Sequence, residues 1–568
     1  MGQRPDALCV QQTFDKGEKI WDFLAPMPAN TWPLLTAAAV LLGGPLANAA
    51  PLERRAVVFY TADTHGVLEP CGCTSEPLGD FARVTALVRA EVGSRRGALL
   101  VDGGNLSFPA GPIPPKRRAA ARLRAEFLAR ELGRLPFAGS AVGESDLAWG
   151  ADQVLPKRLA ANLEAPAFVE PSRLVETGGI RFGVLGIVAP DVARRAGLSA
   201  SDPGAAARAE VARLRKKGAE VVVLLAPVER TQARHLARTA GADIVVVGKN
   251  VGTGMRRAER VGNAFLVAPG EELQYVGRLD IVLRGPAPRG ADEPLADAGG
   301  ADQARERLVE IERRLERLAA DLARWQQDPA SDPAFLAGKR RERDALAAEQ
   351  ARLAKGLWRP PATGSYLTNT LIPIRRTLPR DSALARSLRT LDQAVGAANL
   401  AAAEPPPPPE PGRAFYVGHR KCVSCHKSAD RQWRRTGHAR AWQTLVELGK
   451  QNHDDCVVCH VTGFGEVGGA SLGHTKGLEN VQCEACHQPK SIHVEKRGKE
   501  APYAGSTGAP ESVCVRCHNE THSDTFQYEP YLRGILGPGH GELLLDKLGP
   551  GPTARELRRA AAARGGKP

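Results

Sequence analysis

Cys422-Val423-Ser424-Cys425-His426 decides how the last third of this chain is read, because the pattern recurs three more times. The copies are Cys456-Val457-Val458-Cys459-His460, Cys483-Glu484-Ala485-Cys486-His487 and Cys514-Val515-Arg516-Cys517-His518. Two thiols two residues apart, followed at once by an imidazole, form the attachment pattern of c-type haem. The thiols capture the vinyl groups and the His reaches the iron. Paired Cys-x-x-Cys also builds zinc ribbons, but zinc does not require a His directly after the second Cys. The expected cofactor is therefore four covalently attached haem c groups, with His426, His460, His487 and His518 as proximal ligands. A segment this short cannot build a large apolar core from its own side chains. The porphyrins then supply the core, and folding depends on their attachment.

Histidine use points the same way. Eleven of the 13 His lie after residue 418, and seven of those are not proximal: His419, His438, His453, His474, His493, His522 and His540. A second His on the iron suits electron transfer, whereas an open position suits small-molecule chemistry. Spacing alone leaves the pairings open.

The composition of the 568 residues is that of globular protein, with 43% hydrophobic and 25% charged residues. The net charge of +14 excludes haem propionates, and no basic patch interleaved with aromatics appears, so nucleic acid is not an expected partner. Of 11 Cys, eight sit in the four motifs and Cys9 precedes an expected cleavage site, which leaves Cys71 and Cys73 in Pro70-Cys71-Gly72-Cys73. The apolar run Pro33 to Leu46 ends in Ala47-Asn48-Ala49, an A-x-A processing site. The run is short for a membrane span and contains Gly43, Gly44 and Pro45, so residues 1–49 read as a signal segment for export to the periplasm or beyond.

Between 50 and 290, β-rich runs alternate with helical patterns, which implies a layered α/β domain. The expected strands are Ala56–Tyr60, Ala98–Val101, Arg181–Val188, Glu220–Leu225, Asp243–Val247, Ala264–Val267 and Arg278–Val282. Helices are expected at Phe81–Val92, Arg118–Leu132 and Ala205–Lys217. In 301–358, Leu308, Ile311, Leu315, Leu318, Leu322 and Trp325 form a heptad seam, broken at Asp328-Pro329 and resumed by Leu346 and Leu353. This reads as an antiparallel helical hairpin or coiled coil, or as a seam through which the chain oligomerises. A helical extension at 359–404, a polyproline linker at 405–412, a mainly helical multihaem domain at 413–545 and a mobile tail at 546–568 complete the expected order.

Two resemblances add to this reading. Tyr416-Val417-Gly418, Trp433, His438-Ala439, Ala441-Trp442, Cys459-His460-Val461-Thr462-Gly463-Phe464 and Asn480-Val481-Gln482-Cys483-Glu484 resemble the tetrahaem cytochrome c-554 type. The resemblance implies His438, His493 and His540 as distal ligands and one five-coordinate haem, for which His460 is the candidate. Thr521-His522-Ser523 adds a further ligand candidate. Thr61-Ala62-Asp63-Thr64-His65-Gly66-Val67-Leu68-Glu69-Pro70 resembles the opening motif of the 5′-nucleotidase branch of calcineurin-like metallophosphoesterases. Such enzymes hold two metals with Asp and His from several strand ends. Here the later ligand motifs read Gly104-Asn105, Gly143-Glu144-Ser145-Asp146, Leu225-Ala226-Pro227 and Gly248-Lys249-Asn250, so only Asp63 and His65 survive. Ordinary phosphatase activity is not expected. A remade one-metal site at Asn105, Glu144 and Asp146, or a second metal at Asp63, His65, Cys71 and Cys73, stands as an alternative.

The expected function is exported electron transfer through four haems, with redox proteins or small redox molecules as partners. The alternative is an oxidoreductase that couples the haems to chemistry at Cys71 and Cys73 or at an open haem, with Asp63 and His65 as further catalytic candidates. A metal-dependent hydrolase ranks third.

Overall fold

The computed structural model describes residues 53–565 apart from 71, 95–96, 151–156, 165–167, 290–292, 330, 356–360, 362, 500–508 and 520–521. The expected signal segment, Cys71 and Thr521 lie outside the described residues.

The chain first lays down β1 (Glu53–Thr61), β2 (Ala98–Asp102), β3 (Phe137–Ala141), β4 (Arg158–Leu159) and β5 (Val169–Glu170) as neighbours in one sheet. It then builds a second sheet from β6 (Ser172–Thr177), β7 (Ile180–Gly186), β8 (Val221–Ala226), β9 (Ile244–Val247), β10 (Glu259–Val261) and β11 (Ala264–Val267). It returns to the first sheet with β12 (Tyr275–Arg284), β13 (Ala296–Asp297) and β14 (Tyr366–Pro373). Among the described residues the orders are β13-β14-β12-β1-β2-β3-β4-β5 and β10-β11-β9-β8-β7-β6. The expected strands and helices thus appear with ends shifted by a few residues.

The two sheets face each other. Val58, Tyr60, Leu99 and Val101 meet Phe182, Val184, Val221, Val223, Ile244 and Val246 in the gap. Helices cover the outer faces. Phe81–Val92, Arg118–Leu132 and Ser382–Ala401 pack on the first sheet, and Pro203–Lys216 and Arg230–Thr239 on the second. Near-continuous apolar strands such as Val221–Ala226, buried at every position, need this double cover. Each buried Val, Leu or Phe contributes about 1.5–3 kcal/mol, so this sandwich holds most of the apolar stabilisation. One close approach requires glycine: a Cβ on Gly277 would lie 1.8 Å from the Tyr60 ring, which passes over β12 to donate its hydroxyl to Asn369 at 2.6 Å.

Two expectations need correction. The region 359–404 is not simply a helical extension. It opens with β14, paired antiparallel with β12 from Tyr275 opposite Pro373 to Val282 opposite Tyr366. Tyr366-Leu367-Thr368-Asn369-Thr370-Leu371-Ile372 has strand composition, but flanking prolines mask it. The helix after it, Ser382–Ala401, buries Leu384, Ala385 and Leu388 against Phe81, Val84 and Leu128. The α/β domain therefore runs on to about residue 401 instead of ending at 290.

The hairpin is an insertion between β13 and β14. Helices Gly300–Gln327 and Pro333–Lys355 close on Ile311, Leu318, Leu322 and Leu346. Arg307 pairs with Glu349 and Arg314 with Glu342, which fixes the antiparallel register. The polyproline segment is tied down where it leaves the α/β domain: Pro407 accepts from the Gly468 amide at 3.1 Å and Glu404 from the Ser471 hydroxyl at 2.7 Å. Beyond it come short helices, including Lys427–Trp433, Ala441–Leu448, Asp454–His460, Cys483–His487 and Tyr528–Arg533. The tail, expected to be mobile, carries a helix at Ala554–Gly565 that packs on Tyr528–Arg533. Among the described residues no helix is long and apolar enough to cross a membrane.

Candidate functional site

The C-terminal region has little apolar core of its own. Leu445, Val457, Val461, Ala470 and Leu472 form its one buried cluster among the described residues. Val458 and Val515, inside the second and fourth motifs, stay 45% and 42% exposed.

Six histidines of this region face one another in pairs. The rings of His426 and His493 lie 6.3 Å apart between centroids, those of His438 and His518 6.1 Å, and those of His487 and His540 6.1 Å. Two imidazoles on opposite sides of one metal, each at a metal–nitrogen distance of about 2 Å, place their centroids about 6 Å apart. The spacing fits an iron between each pair. Burial, reinforced by the neighbouring His518, pushes His438 down to about 4, which leaves it as the neutral, metal-binding form. His460 stands apart: its Nδ1 meets the Ala441 carbonyl and, at 3.4 Å, the Thr444 hydroxyl. His453 is buried at the α/β boundary, with Nε2 3.2 Å from the Asp392 carbonyl and Nδ1 3.4 Å from Arg124.

The four motifs also touch one another. The Cys422 side chain interacts with that of Cys483, and Cys517 with Cys459, and the third-motif helix Cys483–His487 packs against Glu511–Cys514 at the start of the fourth. Motif one therefore meets three, three meets four, and four meets two.

A frame of hydrogen bonds explains the residues that carried the cytochrome resemblance. Glu484, inside the third motif, accepts from the amides of Val417, Gly418 and Lys490. Burial raises its pKa above the usual carboxylate value despite those three donors. Gln482 accepts from His419 at 2.7 Å, and Trp433 donates to the Val481 carbonyl at 2.8 Å. Asn480 accepts from the Trp442 amide at 2.9 Å, and Thr462 donates to the Asn480 carbonyl at 2.8 Å. Gly463, at φ 66°, leaves no room for a Cβ, which would sit 2.6 Å from the Tyr416 ring. Motif residues thus fasten one attachment loop to the next. Sequence reasoning did not find Ser523 and Ala441 as the acceptors for His518 and His460, because any hydroxyl or carbonyl can serve and no pattern marks it.

In the α/β domain, the strand-end cluster has turned into a hydrogen-bonded knot. Asp63, His65, Asn105 and Asn250 all keep positive φ, between 48° and 56°, a backbone strain that persists only where surroundings fix it. The Asp63 carboxylate accepts from Asn105 Nδ2 at 2.8 Å and from the Val251 amide at 3.2 Å. His65 Nε2 lies 3.8 Å from Asp63. Asp146 accepts from the Gly143 and Ser107 amides and pairs with the buried Arg158 guanidinium at 3.1 Å. Glu144 turns outward to Arg195 and Lys249. The structure does not gather Asn105, Glu144 and Asp146 as one ligand set, and among the described residues no group of three or more His, Cys, Asp or Glu is placed to hold a metal. An arginine cation on Asp146 and an amide on Asp63 occupy the oxygens that a cation would need. Asp102, enclosed beneath this cluster, is pushed up to about 7 by burial, against hydrogen bonds from Ser140 and Thr61.

Residues 421–488 match the family model described as cytochrome c554 and c-prime. Cytochrome c-554 of Nitrosomonas europaea is 33% identical over 136 residues, covering 18% of this chain and 58% of that protein. The chain thus spans little more than half the length of this curated relative. Among solved structures, a 5′-nucleotidase precursor from Thermus thermophilus is similar with a TM-score of 0.41 at 17% identity, covering 70% of this chain and 68% of that one. The calcineurin-like phosphoesterase YfkN from Bacillus subtilis follows at 0.35 and 17%, covering 41% and 87%. The sulfate thiohydrolase SoxB from Thermus thermophilus is at 0.34 and 19%, covering 41% and 56%. Over residues 421–488 the C-terminal region is similar to the cytochrome c554 and c-prime family, while solved structures similar to this chain include 5′-nucleotidases and a calcineurin-like phosphoesterase.

Proposed function

We propose that this chain is an exported electron-transfer protein that binds four haem groups through its Cys-x-x-Cys-His motifs. His493, His540 and His438 would supply second ligands to haems held by His426, His487 and His518, and His460 would hold its haem without a paired imidazole. The observation that carries the reading is the trio of ring pairs at 6.1–6.3 Å. Bound haem supplies a one-electron iron couple and a conjugated ring through which electrons reach a neighbour. The protein's own residues set the order of neighbours. The contacts between motifs favour the sequence one, three, four, two. Glu484 and Gln482 hold motifs one and three together. Export is supported by the Ala47-Asn48-Ala49 site and by attachment chemistry that takes place outside the cytoplasm. Partners are redox proteins or small redox molecules.

The test is a count and a transfer. The purified protein should carry four haems by intact mass, take up four electrons from dithionite and release them to a one-electron acceptor. Fewer than four haems, or four electrons that cannot be withdrawn, overturns the reading.

One observation favours a second reading, oxidoreductase chemistry at Cys71 and Cys73. Arg558 donates to the Cys73 carbonyl at 2.7 Å, and Ser75 is held by Asp524, close to the fourth motif. Two thiols would form a disulfide, release two protons and pass two electrons, one at a time, to ferric haem. Cys71→Ser and Cys73→Ser should abolish haem reduction by sulfur compounds. Unchanged rates across a panel of such compounds refute it.

A further inference from the structure

His518 packs between two aromatic rings and is hydrogen-bonded at Nδ1. Phe526 lies parallel to its ring within 5° at 5.5 Å, and Tyr531 meets it edge-on at 5.0 Å. Its Nδ1 is 3.2 Å from the Ser523 hydroxyl, which is buried. With Nε2 given to iron, Nδ1–H donates to Ser523. Ser523 can then donate to the Tyr531 hydroxyl at 3.0 Å, and Tyr531 to Thr525 at 2.9 Å. The hydroxyl chain is therefore satisfied in one direction, from the imidazole outward.

The next residue, Asp524, leaves this box and reaches the α/β domain. Its carboxylate accepts from the Ser75 amide at 2.9 Å and also from the Ser75 hydroxyl. Two residues away, the Cys73 carbonyl accepts from Arg558, on the helix that packs against the Tyr531 helix. Consecutive residues thus hold the imidazole acceptor on one side and a loop of the other domain on the other.

We propose that Ser75, acting through Asp524 and Ser523, is a positioning residue by which the α/β domain sets the electron affinity of the site at His518. The proposal rests on haem binding at the fourth motif. A well-accepted Nδ1–H makes the imidazole a stronger donor to iron and favours the oxidised state. Freeing Asp524 lets Ser523 drift from His518 and shifts the site towards reduction.

The experiment is a redox titration of the full, haem-loaded protein, with nitrogen-15 spectra of His518 as a second readout. Ser523→Ala should move one couple about tenfold towards the reduced form, about 59 mV for a one-electron step. Ser75→Ala should move the same couple in the same direction by about threefold, about 30 mV, and should weaken the His518 Nδ1–H signal. Ser75→Thr should restore both. If Ser75→Ala moves no couple while Ser523→Ala does, the domain link is refuted. If neither moves one, the whole proposal fails. Loss of haem from the fourth motif by mass would instead count against the underlying reading.

Discussion

The two halves of this molecule solve the same problem with opposite materials. The α/β domain fills the gap between its sheets with its own Val, Leu, Ile and Phe side chains. Among its described residues the C-terminal region musters one small cluster around Val457 and Val461, and it spends its residues instead on thiols, imidazoles and the hydrogen bonds that join them. A core made of side chains is complete when the chain is made. A core reserved for attached groups is not, so the two halves should fail in different ways.

The largest expected effect comes from withholding attachment. With Cys422, Cys456, Cys483 and Cys514 each changed to Ala, residues 413–545 should be cut within minutes by a dilute protease while the α/β domain survives as a resistant fragment. Equal resistance of both halves would break the comparison. Next comes Phe182→Ala at the sandwich centre, fully buried between the sheets, which should cost about 3–5 kcal/mol in denaturant unfolding of the α/β domain and leave the haem spectrum intact.

A smaller effect belongs to the seam between the halves. Lys450 binds Glu69 and Asp392, each at 2.9 Å, and Arg380 also meets Glu69. Burial works against both charges, yet Lys450 and Arg380 hold Glu69 below its ordinary value, while Glu69 and Asp392 hold Lys450 above its own. The Glu69 contribution is present above the ordinary carboxylate pKa and is lost as pH falls through its depressed value. That of Lys450 is present below the ordinary lysine pKa and is lost only as pH rises through its raised value. The seam should thus hold across neutral pH and open in acid, and Lys450→Met should weaken it by about 1 kcal/mol, as read by protease access to the polyproline segment. The smallest effect is expected at the strand-end knot: added manganese or zinc should produce no phosphate-ester turnover, because Arg158 and Asn105 already occupy Asp146 and Asp63. Turnover there would show that the knot opens.

Much of this was legible in the sequence, for physical reasons. Alternating apolar runs marked the buried strands, and the haem signature marked itself. The strand Tyr366–Pro373 was hidden because its partner, β12, lies far away in the chain and the prolines around it imitate a linker. At the candidate site, Asp63 and His65 were visible, but their capture was not. Asn105 reads as a lost ligand in the sequence and acts as a hydrogen-bond clamp in the fold. The reason Glu484 and Gln482 stand where they do appears only once motif three lies against Val417 and Gly418.

The central claim is that, among the described residues, three motif histidines face a second imidazole and one does not. Electron paramagnetic resonance of the oxidised protein tests it directly. The arrangement of His426 with His493, His487 with His540 and His518 with His438 predicts three low-spin ferric signals and one high-spin signal, with the high-spin signal abolished by an added ligand such as cyanide. Four low-spin signals, or more than one high-spin signal, would contradict it.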